Sequence, residues 1–210
     1  MPSVTVAQKK ASDDSVVTDV AAAVERLLDE GERFTTLPVQ RIADESGIAR
    51  STFYRYFPDK STLLIRVADV ATSEQLSAGV AWLDSAGATR EEMADAFATL
   101  VASHRQHASV VRALNEVAGY DEEVADYWRE RIESSAQRLR RFIEEGQAAG
   151  TVNPALDPET TAELLAWGVE RLVTQHVLSR PAGEDPELAE RVAGTAWSTL
   201  GLDRDWSAQT

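Results

Sequence analysis

Cysteine is absent from the 210-residue sequence, which excludes disulfide bridges and thiolate metal sites. No window approaches the roughly eighteen apolar residues that a membrane-spanning helix needs. The N-terminus also lacks the apolar segment of a secretory signal peptide. Hydrophobic residues make up 43% of the chain, which is enough for a buried core. These features predict a cytoplasmic protein of one or two globular domains.

Basic residues are outnumbered by acidic ones, and the formal net charge is −14. This charge is unevenly distributed along the chain. Between residues 39 and 66 the local balance is +2, from Arg41, Arg50, Arg55, Lys60 and Arg66 against Asp44, Glu45 and Asp59. An acidic remainder would repel DNA from every other surface, so the low pI disfavours non-specific coating of DNA more than specific binding.

The segment from Val39 to Lys60 predicts two short helices joined by a tight turn. Ile42 and Ala43 give the first helix an apolar face. Gly47 permits the left-handed backbone conformation of the turn, and Ile48 fills the corner behind it. This arrangement is a helix-turn-helix.

The second helix, from Arg50 to Phe57, combines a buried edge with a polar surface. Phe53 and Phe57 have the i,i+4 spacing of buried residues. The arginines, hydroxyls and phenols around them can reach base edges and hold phosphates in a major groove. The predicted DNA-binding residues are Gln40, Arg50, Ser51, Thr52, Tyr54, Arg55, Tyr56 and Lys60. Lys60 is expected to meet a phosphate beside the free N–H groups of the next helix. A structural helical hairpin whose tyrosines only cover core is the alternative.

The run IADESGIARSTFYRYFPDKSTLL resembles the signature of the tetracycline-repressor (TetR) family of bacterial transcription regulators. The specific parts are the I-A pair, the glycine turn, the T-F-Y-x-Y-F core of the second helix and the P-D-K that follows. The resemblance implies a dimeric DNA-binding protein with a helical effector-binding domain. It also implies that the fourth helix transmits effector binding to the spacing of the two DNA-binding domains.

Helical spacing continues to the C-terminal end of the chain, without strand-like alternation. Residues 1–13 have no helical period and are expected to form a flexible arm before N-caps at 13–15. Thr89 and Glu92 form a capping box. We predict an all-α fold of about nine helices. A three-helix DNA-binding domain would span 14–60, and an effector-binding and dimerisation domain would span 61–210.

The last two helices begin alike, at Asp157-Pro158-Glu159 and Asp185-Pro186-Glu187. Each start has an aspartate as N-cap, a proline at the first helical position and a glutamate in the first turn. Both helices are apolar over more than one narrow stripe, so they can form a four-helix bundle with their two-fold mates. A homodimer is expected because one recognition helix reads only a few base pairs, whereas two read a near-palindrome.

Aromatic residues are spread over helices that would surround a common interior, which favours a small hydrophobic effector. Aromatic residues at helical spacing also fill ordinary cores, and that alternative stays open for each of them. The predicted effector-binding residues are Phe97, Val101, Tyr127, Trp128, Trp167 and Glu170. The C-terminal half, notably FATLVASH, VADYW and VERL, is similar to the family branch typified by the mycobacterial ethionamide-resistance regulator. That resemblance implies a narrow hydrophobic tunnel lined by Phe97, Trp128 and Glu170.

No metal site, cofactor or catalytic residue is predicted. His104 and His107 lie three residues apart, but such a pair needs further ligands. The sequence contains no nucleophile elbow and no phosphate-binding glycine loop.

Three functions remain open. The leading hypothesis is a homodimeric repressor that binds a palindromic DNA operator and is released by a small hydrophobic effector. The second is a regulator with the same DNA chemistry that is ligand-independent or activating. The third is a helical small-molecule carrier with a vestigial helix-turn-helix.

Overall fold

The computed structural model describes the backbone of residues 4–83, 89–204 and 206, and their side chains except at 4–14 and 72–81. Within this part of the chain there are nine α-helices and no strands, which confirms the predicted all-α fold. None of these helices is long and apolar enough to cross a membrane. The helices are α1 (Val4–Asp29), α2 (Val39–Ser46), α3 (Arg50–Tyr56), α4 (Lys60–Leu83), α5 (Arg90–Gln106), α6 (Ala108–Val117), α7 (Glu122–Ala149), α8 (Pro158–Ser179) and α9 (Asp185–Leu200).

The chain divides into two compact units. Unit 1 consists of residues 1–73 and 109–127, and unit 2 consists of residues 74–108 and 128–210. The helix-turn-helix therefore shares a unit with α6 and with the beginnings of α4 and α7. The predicted boundary at residue 60 separates two parts by their expected functions, whereas the compact units divide the chain at other residues. The assignment of DNA binding and effector binding to these two parts stays a prediction.

The first helix begins earlier than the sequence predicts. It starts at Val4, so residues 4–13 are helical rather than an arm without regular structure. Residues 1–3 of the predicted arm lie outside the described residues. The aspartates and serine at 13–15 are interior to α1, where they do not act as N-caps.

The turn between α2 and α3 has the predicted geometry. Gly47 adopts φ 70° and ψ 22°, the left-handed conformation that a side chain would strain. The N–H of Ile48 donates to the carbonyl of Ala43 over 3.0 Å and closes the end of α2. Phe53 and Phe57 are 0% and 1% exposed, and their ring centres are 5.2 Å apart. These contacts fix α3 against the core of unit 1.

Ion pairs join α1 to α2 at the surface of unit 1. Glu45 accepts from Arg26 over 3.2 Å and from Arg41 over 3.0 Å. Arg41 also lies near Glu30 and Glu32. Hydrogen bonds from Arg26 and Arg41 lower the pKa of the Glu45 carboxyl. These exposed pairs orient two helices rather than add much stability.

Two hydrogen bonds join the start of α7 to α4 within unit 1. Ser61 donates to Asp121 over 2.5 Å, and this bond is the main reason why the pKa of Asp121 is lowered. The Tyr127 hydroxyl donates to Asp69 over 2.8 Å. Both bonds join α7 or its first turn to α4.

In unit 2 the capping signals give mixed results. Thr89 and Glu92 form the predicted capping box of α5. Asp157 accepts from the N–H of Thr160 over 2.8 Å, as predicted for the N-cap of α8. Asp185, however, is not the N-cap of α9. A short 3₁₀ turn precedes Asp185, and Glu184 occupies the cap position without a side-chain hydrogen bond. The carboxylate of Asp185 binds other side chains instead.

Asp185 binds Arg105 of α5 in a bidentate pair. Arg105 donates through Nε over 3.0 Å and through Nη2 over 2.6 Å, while its Nη1 donates to the carbonyl of Val177 over 2.6 Å. His176 Nε2 lies 3.0 Å from the same carboxylate. The hydrogen bond from Arg105 is the largest cause of the lowered pKa of Asp185. These contacts join α5, α8 and α9 at one end of unit 2.

Asp185→Asn is expected to lower the free energy of unfolding by about 2 kcal/mol near neutral pH, because the variant loses a charge-assisted bidentate pair. A carboxyl with a lowered folded-state pKa stabilises the fold above its ordinary pKa of about 4. That contribution disappears as the pH falls through the lowered value. The difference between the native chain and the variant should therefore shrink in urea denaturation below about pH 4.

Asp203→Asn is the matched control, since Asp203 is an exposed carboxylate of the same unit. Its effect should stay within about 0.5 kcal/mol at every pH. An Asp185→Asn effect that persists undiminished at low pH would contradict the ion-pair account.

Candidate nucleic-acid interface and effector cavity

The outer surface of α3 carries most of the predicted DNA-binding residues. Arg50, Ser51, Tyr54 and Arg55 are exposed, and Thr52 and Tyr56 are half-buried. Tyr54 has 43% of its surface exposed although it is a large aromatic residue. Because Phe53 and Phe57 occupy the inner side of α3, the hydroxyls, phenols and guanidinium groups point away from the core. We call these six residues the α3 surface.

The two arginines of the α3 surface pair with tyrosines instead of acids. Arg50 Nη2 lies 3.4 Å from the Tyr54 hydroxyl, and Arg55 Nη2 lies 3.0 Å from the Tyr56 hydroxyl. The guanidinium carbons lie 5.6 Å and 4.8 Å from the respective ring centres. Neither arginine forms a salt bridge within the described residues. Both positive charges are thus available to an anion, and the aromatic rings hold them in place.

Gln40, near the start of α2, is exposed and donates to Asp44 of the same helix over 2.7 Å. Pro38 is the N-cap and has no side-chain cap bond, so the first N–H groups of α2 have no protein side chain as partner there. Gln40 stands beside these groups and stays a predicted DNA contact.

The ammonium group of Lys60 is hydrogen-bonded within the protein. Its ammonium donates to the backbone carbonyls of Phe34, of Thr35 over 3.2 Å and of Leu37 over 3.0 Å. The ammonium also lies 4.8 Å from the centre of the Phe34 ring. A lysine has three N–H donors, and these carbonyls use all of them. Burial lowers the pKa of Lys60. The residue ties α4 to the loop between α1 and α2, and its contact with a phosphate stays a prediction.

Unit 2 contains a cavity of about 230 Å³ between α5, α7, α8 and α9 and the C-terminal end of α4. Its lining is mostly apolar and rich in aromatic rings. The principal lining residues are Trp82, Met93, Phe97, Leu100, His104, Trp128, Arg131, Ile132, Arg138, Leu139, Leu165, Val169 and Glu170. Trp82 also packs on Phe142, with ring centres 5.2 Å apart. Apolar cavities with a few polar groups are typical small-molecule sites.

Three of the six predicted effector residues line this cavity: Phe97, Trp128 and Glu170. The other three lie elsewhere. Val101 is 1% exposed and belongs to a separate apolar cluster with Val173 and Val177. Tyr127 belongs to unit 1, where its hydroxyl binds Asp69. Trp167 is 39% exposed on the outer side of α8.

The polar groups of the cavity include one that the sequence prediction missed. His104 was considered only as a metal ligand, yet it lines the cavity from α5. It follows Phe97 and Leu100 at helical spacing, and that periodicity is the signal that could have identified it. Glu170 faces the same cavity from α8, and burial raises the pKa of its carboxyl. Arg131 and Arg138 contribute from α7.

Three large apolar side chains are exposed on the outer side of α8. Leu164, Trp167 and Leu172 are 70%, 39% and 49% exposed. Together with the small residue Gly168 they lie on one side of α8, where Arg171 and Gln175 are also exposed, and we call these four residues the α8 outer stripe. The exposed residues of α9 are mainly charged or hydroxylic.

The N-terminal sequence matches a family model. Residues 20–67 match the model described as bacterial regulatory proteins, tetR family. A relative, the HTH-type transcriptional regulator EthR of Mycolicibacterium smegmatis, is 27% identical over 181 residues, which cover 84% of this chain and 81% of that protein. An uncharacterized HTH-type transcriptional regulator of Mycobacterium tuberculosis is 30% identical over 170 residues, which cover 78% of this chain and 69% of that protein.

Solved structures share the fold at lower identity. The transcriptional regulator FadR of Bacillus subtilis, solved in complex with stearoyl-CoA, superposes with a TM-score of 0.72 at 17% identity, covering 87% of this chain and 98% of that chain. A TetR transcription regulator of Haloarcula marismortui superposes with a TM-score of 0.70 at 21% identity, covering 89% and 98%. These structures show that the helical fold is a known one.

Lys60→Met separates a structural lysine from a phosphate contact. Methionine keeps the apolar stem but leaves three carbonyls without their donor, so we expect the free energy of unfolding to fall by about 1–3 kcal/mol in urea denaturation. The salt dependence of DNA binding by the folded variant should stay unchanged. A lost phosphate contact would instead reduce the slope of log K against log salt by about one.

Arg66→Met is the matched control, because Arg66 is an exposed cation of α4. It should leave the free energy of unfolding within about 0.5 kcal/mol of the native value. A Lys60→Met protein that is fully stable but has a lower salt slope would restore the phosphate interpretation.

Proposed function

The chain belongs to the tetR family of bacterial regulatory proteins, and we propose that it is a homodimeric repressor whose two α3 helices bind a palindromic operator. Proteins of this family are transcriptional regulators and not enzymes. In this proposal a small hydrophobic effector enters the cavity of unit 2 and releases the protein from DNA. The protein would act in the cytoplasm, where the DNA of a bacterium is found. The observation that carries the proposal is the α3 surface, with two arginines that no acid among the described residues neutralises.

The α3 surface suits a major groove. Exposed guanidinium groups can bind guanine edges in bidentate fashion, and hydroxyl and phenol groups can bind bases or phosphates. The net charge of −14 does not oppose this, because the segment of residues 39–66 that contains α3 has a local balance of +2. Gln40 and the uncapped start of α2 lie beside it in sequence and supply further donors. Arg50, Ser51, Thr52, Tyr54, Arg55 and Tyr56 are the proposed contacts, with Lys60 in a structural role.

The α8 outer stripe supports dimerisation. Three large apolar side chains are exposed on one side of α8, and an isolated monomer would leave them in water. A second copy related by a two-fold axis would cover it with the same stripe. In this proposal α8 contributes most of the apolar contact, while the polar outer side of α9 contributes the rim of the last-two-helix bundle. Trp167 is then a dimer contact rather than an effector contact.

The cavity supports an apolar effector. It is smaller than the roughly 300–1,000 Å³ typical of drug-sized sites, so the effector is small or only partly enclosed. One solved relative in fold was crystallised with an acyl-CoA, which has an apolar chain. Release from DNA needs only that the effector bind the DNA-incompetent conformation better than the competent one.

Arg50→Gln should weaken binding to the specific operator by roughly 5- to 150-fold, since one charged base or phosphate contact is worth about 1–3 kcal/mol. Fluorescence anisotropy at two salt concentrations would measure the affinity. The duplexes would be taken from the region upstream of the protein's own coding sequence, with an unrelated duplex beside them. The unfolding curve of the variant should be unchanged, because Arg50 is exposed.

Arg140→Gln is the matched control. It removes the same charge from an exposed site on α7 and should leave DNA affinity unaltered. Equal losses in the two variants would mean that net charge alone governs binding and would refute the role of the α3 surface.

A Trp167→Glu/Leu172→Glu variant should be monomeric at concentrations where the native chain is dimeric. Burying two carboxylates in an apolar interface should weaken association by at least about 100-fold. Analytical ultracentrifugation would give the association constant, and circular dichroism would show that the helices remain. Tyr120→Glu changes an exposed aromatic residue of unit 1 and should stay dimeric. A dimer that tolerates both glutamates would place the interface elsewhere.

A further inference from the structure

His104 presents a buried acceptor that has no partner among the residues that the structure describes. The residue is 5% exposed and lines the cavity of unit 2. Its Nδ1 lies 3.0 Å from the carbonyl oxygen of Leu100. A carbonyl can only accept, so Nδ1 carries the proton and Nε2 has the lone pair of a neutral imidazole. Nε2 is buried and has no hydrogen-bond partner within the described residues.

This arrangement determines which functional group of a ligand can bind His104. Burial lowers the pKa of the imidazole, so the ring stays neutral and Nε2 remains an acceptor. A buried acceptor without a partner is unfavourable, and a ligand that donates a proton to it relieves that cost. A ligand that can only accept leaves the cost in place.

Glu170 is the second polar group that selects the ligand. It lines the same cavity from α8, and its Oε1 accepts from the Thr174 hydroxyl over 2.8 Å. Burial favours its neutral form, in which the carboxyl can both accept and donate. A hydroxyl group also donates and accepts, and so it can pair with both residues. A carboxylate has no proton for Nε2, so it cannot relieve the cost of the unpartnered acceptor on His104.

We propose that the cavity binds a neutral apolar molecule bearing one alcohol or phenol group, whose O–H donates to Nε2 of His104 and lies beside Glu170. The aromatic side chains Trp82, Phe97 and Trp128 surround its apolar body. This inference rests on the proposed effector role of the cavity, but it concerns only the chemical class of ligand that the cavity binds. Arg131 and Arg138 also line the cavity, and they make an apolar carboxylate the competing ligand that a test must include.

Three probes of similar size test the proposal with the full-length protein and without DNA. 4-Butylphenol and 4-propylanisole are isomers that differ in having or lacking the O–H donor, and 4-butylbenzoate carries a carboxylate. Isothermal titration calorimetry is expected to show that the phenol binds about tenfold more tightly than the anisole, as one buried hydrogen bond provides. The benzoate should bind more weakly than the phenol.

Two variants test whether His104 causes the preference for the phenol over the anisole. His104→Phe keeps a ring in the cavity but removes the acceptor, so the phenol and the anisole should bind equally while the affinity for the anisole persists. His107→Phe, three residues along, changes a histidine that is not among the cavity-lining residues and should retain the tenfold preference. A purely structural role for His104 would weaken both probes together.

A spectroscopic measurement makes the result independent of any variant. In ¹⁵N-histidine-labelled native protein, the resonance of the unprotonated His104 nitrogen should shift when the phenol is added and not when the anisole is added. Equal binding of phenol and anisole, tighter binding of the benzoate, or no binding of any probe would each overturn the proposal. DNA affinity is measured separately by anisotropy, so failure of the ligand class leaves the DNA-binding proposal standing.

Discussion

The burial of Phe53 and Phe57 is the constraint on which the DNA-binding surface depends. The helix α3 has only seven residues, too few to be stable alone in water, where helices need about 12–15. Its two phenylalanines, both almost completely buried, contribute up to about 1.5–3 kcal/mol each and fix its rotation about its own axis. Every outward donor of the α3 surface is positioned by that inner edge, so the specificity for DNA that we propose would rest on a hydrophobic contact.

Electrostatics then separates structural cations from available ones. Arg41 is surrounded by Glu30, Glu32 and Glu45, and Arg105 is held by Asp185. Such pairs cancel the charge that DNA would otherwise feel. Arg50 and Arg55 instead lie against tyrosines, which orient a guanidinium group without neutralising it. The local positive potential therefore depends on which arginines have no acidic partner nearby. The net charge of the whole chain does not show this difference.

The sequence predicted the helical fold, the Gly47 turn and the buried edge of α3, because each depends on local spacing or backbone conformation. It could not predict contacts that depend on tertiary geometry. Lys60 was expected to bind phosphate, but a loop distant in sequence offers it three carbonyls. Trp167 was assigned to the cavity because α8 is apolar on more than one side, and periodicity alone does not say which side faces inward. Tyr127 lies in unit 1 rather than beside the cavity, because α7 runs through both compact units and periodicity does not show where a compact unit ends.

The two sides of α8 connect the cavity with the surface proposed for dimerisation. Leu165, Val169 and Glu170 line the cavity, while the α8 outer stripe lies on the opposite side of the same helix. Closely packed helices move as rigid bodies rather than compress, so a ligand that displaces the inner side by an ångström must also displace the outer side. An effector with a donor for His104 would enter between α5 and α8 at this point. Occupancy of the cavity and the geometry of the proposed dimer then become coupled through one helix, without a separate signalling element.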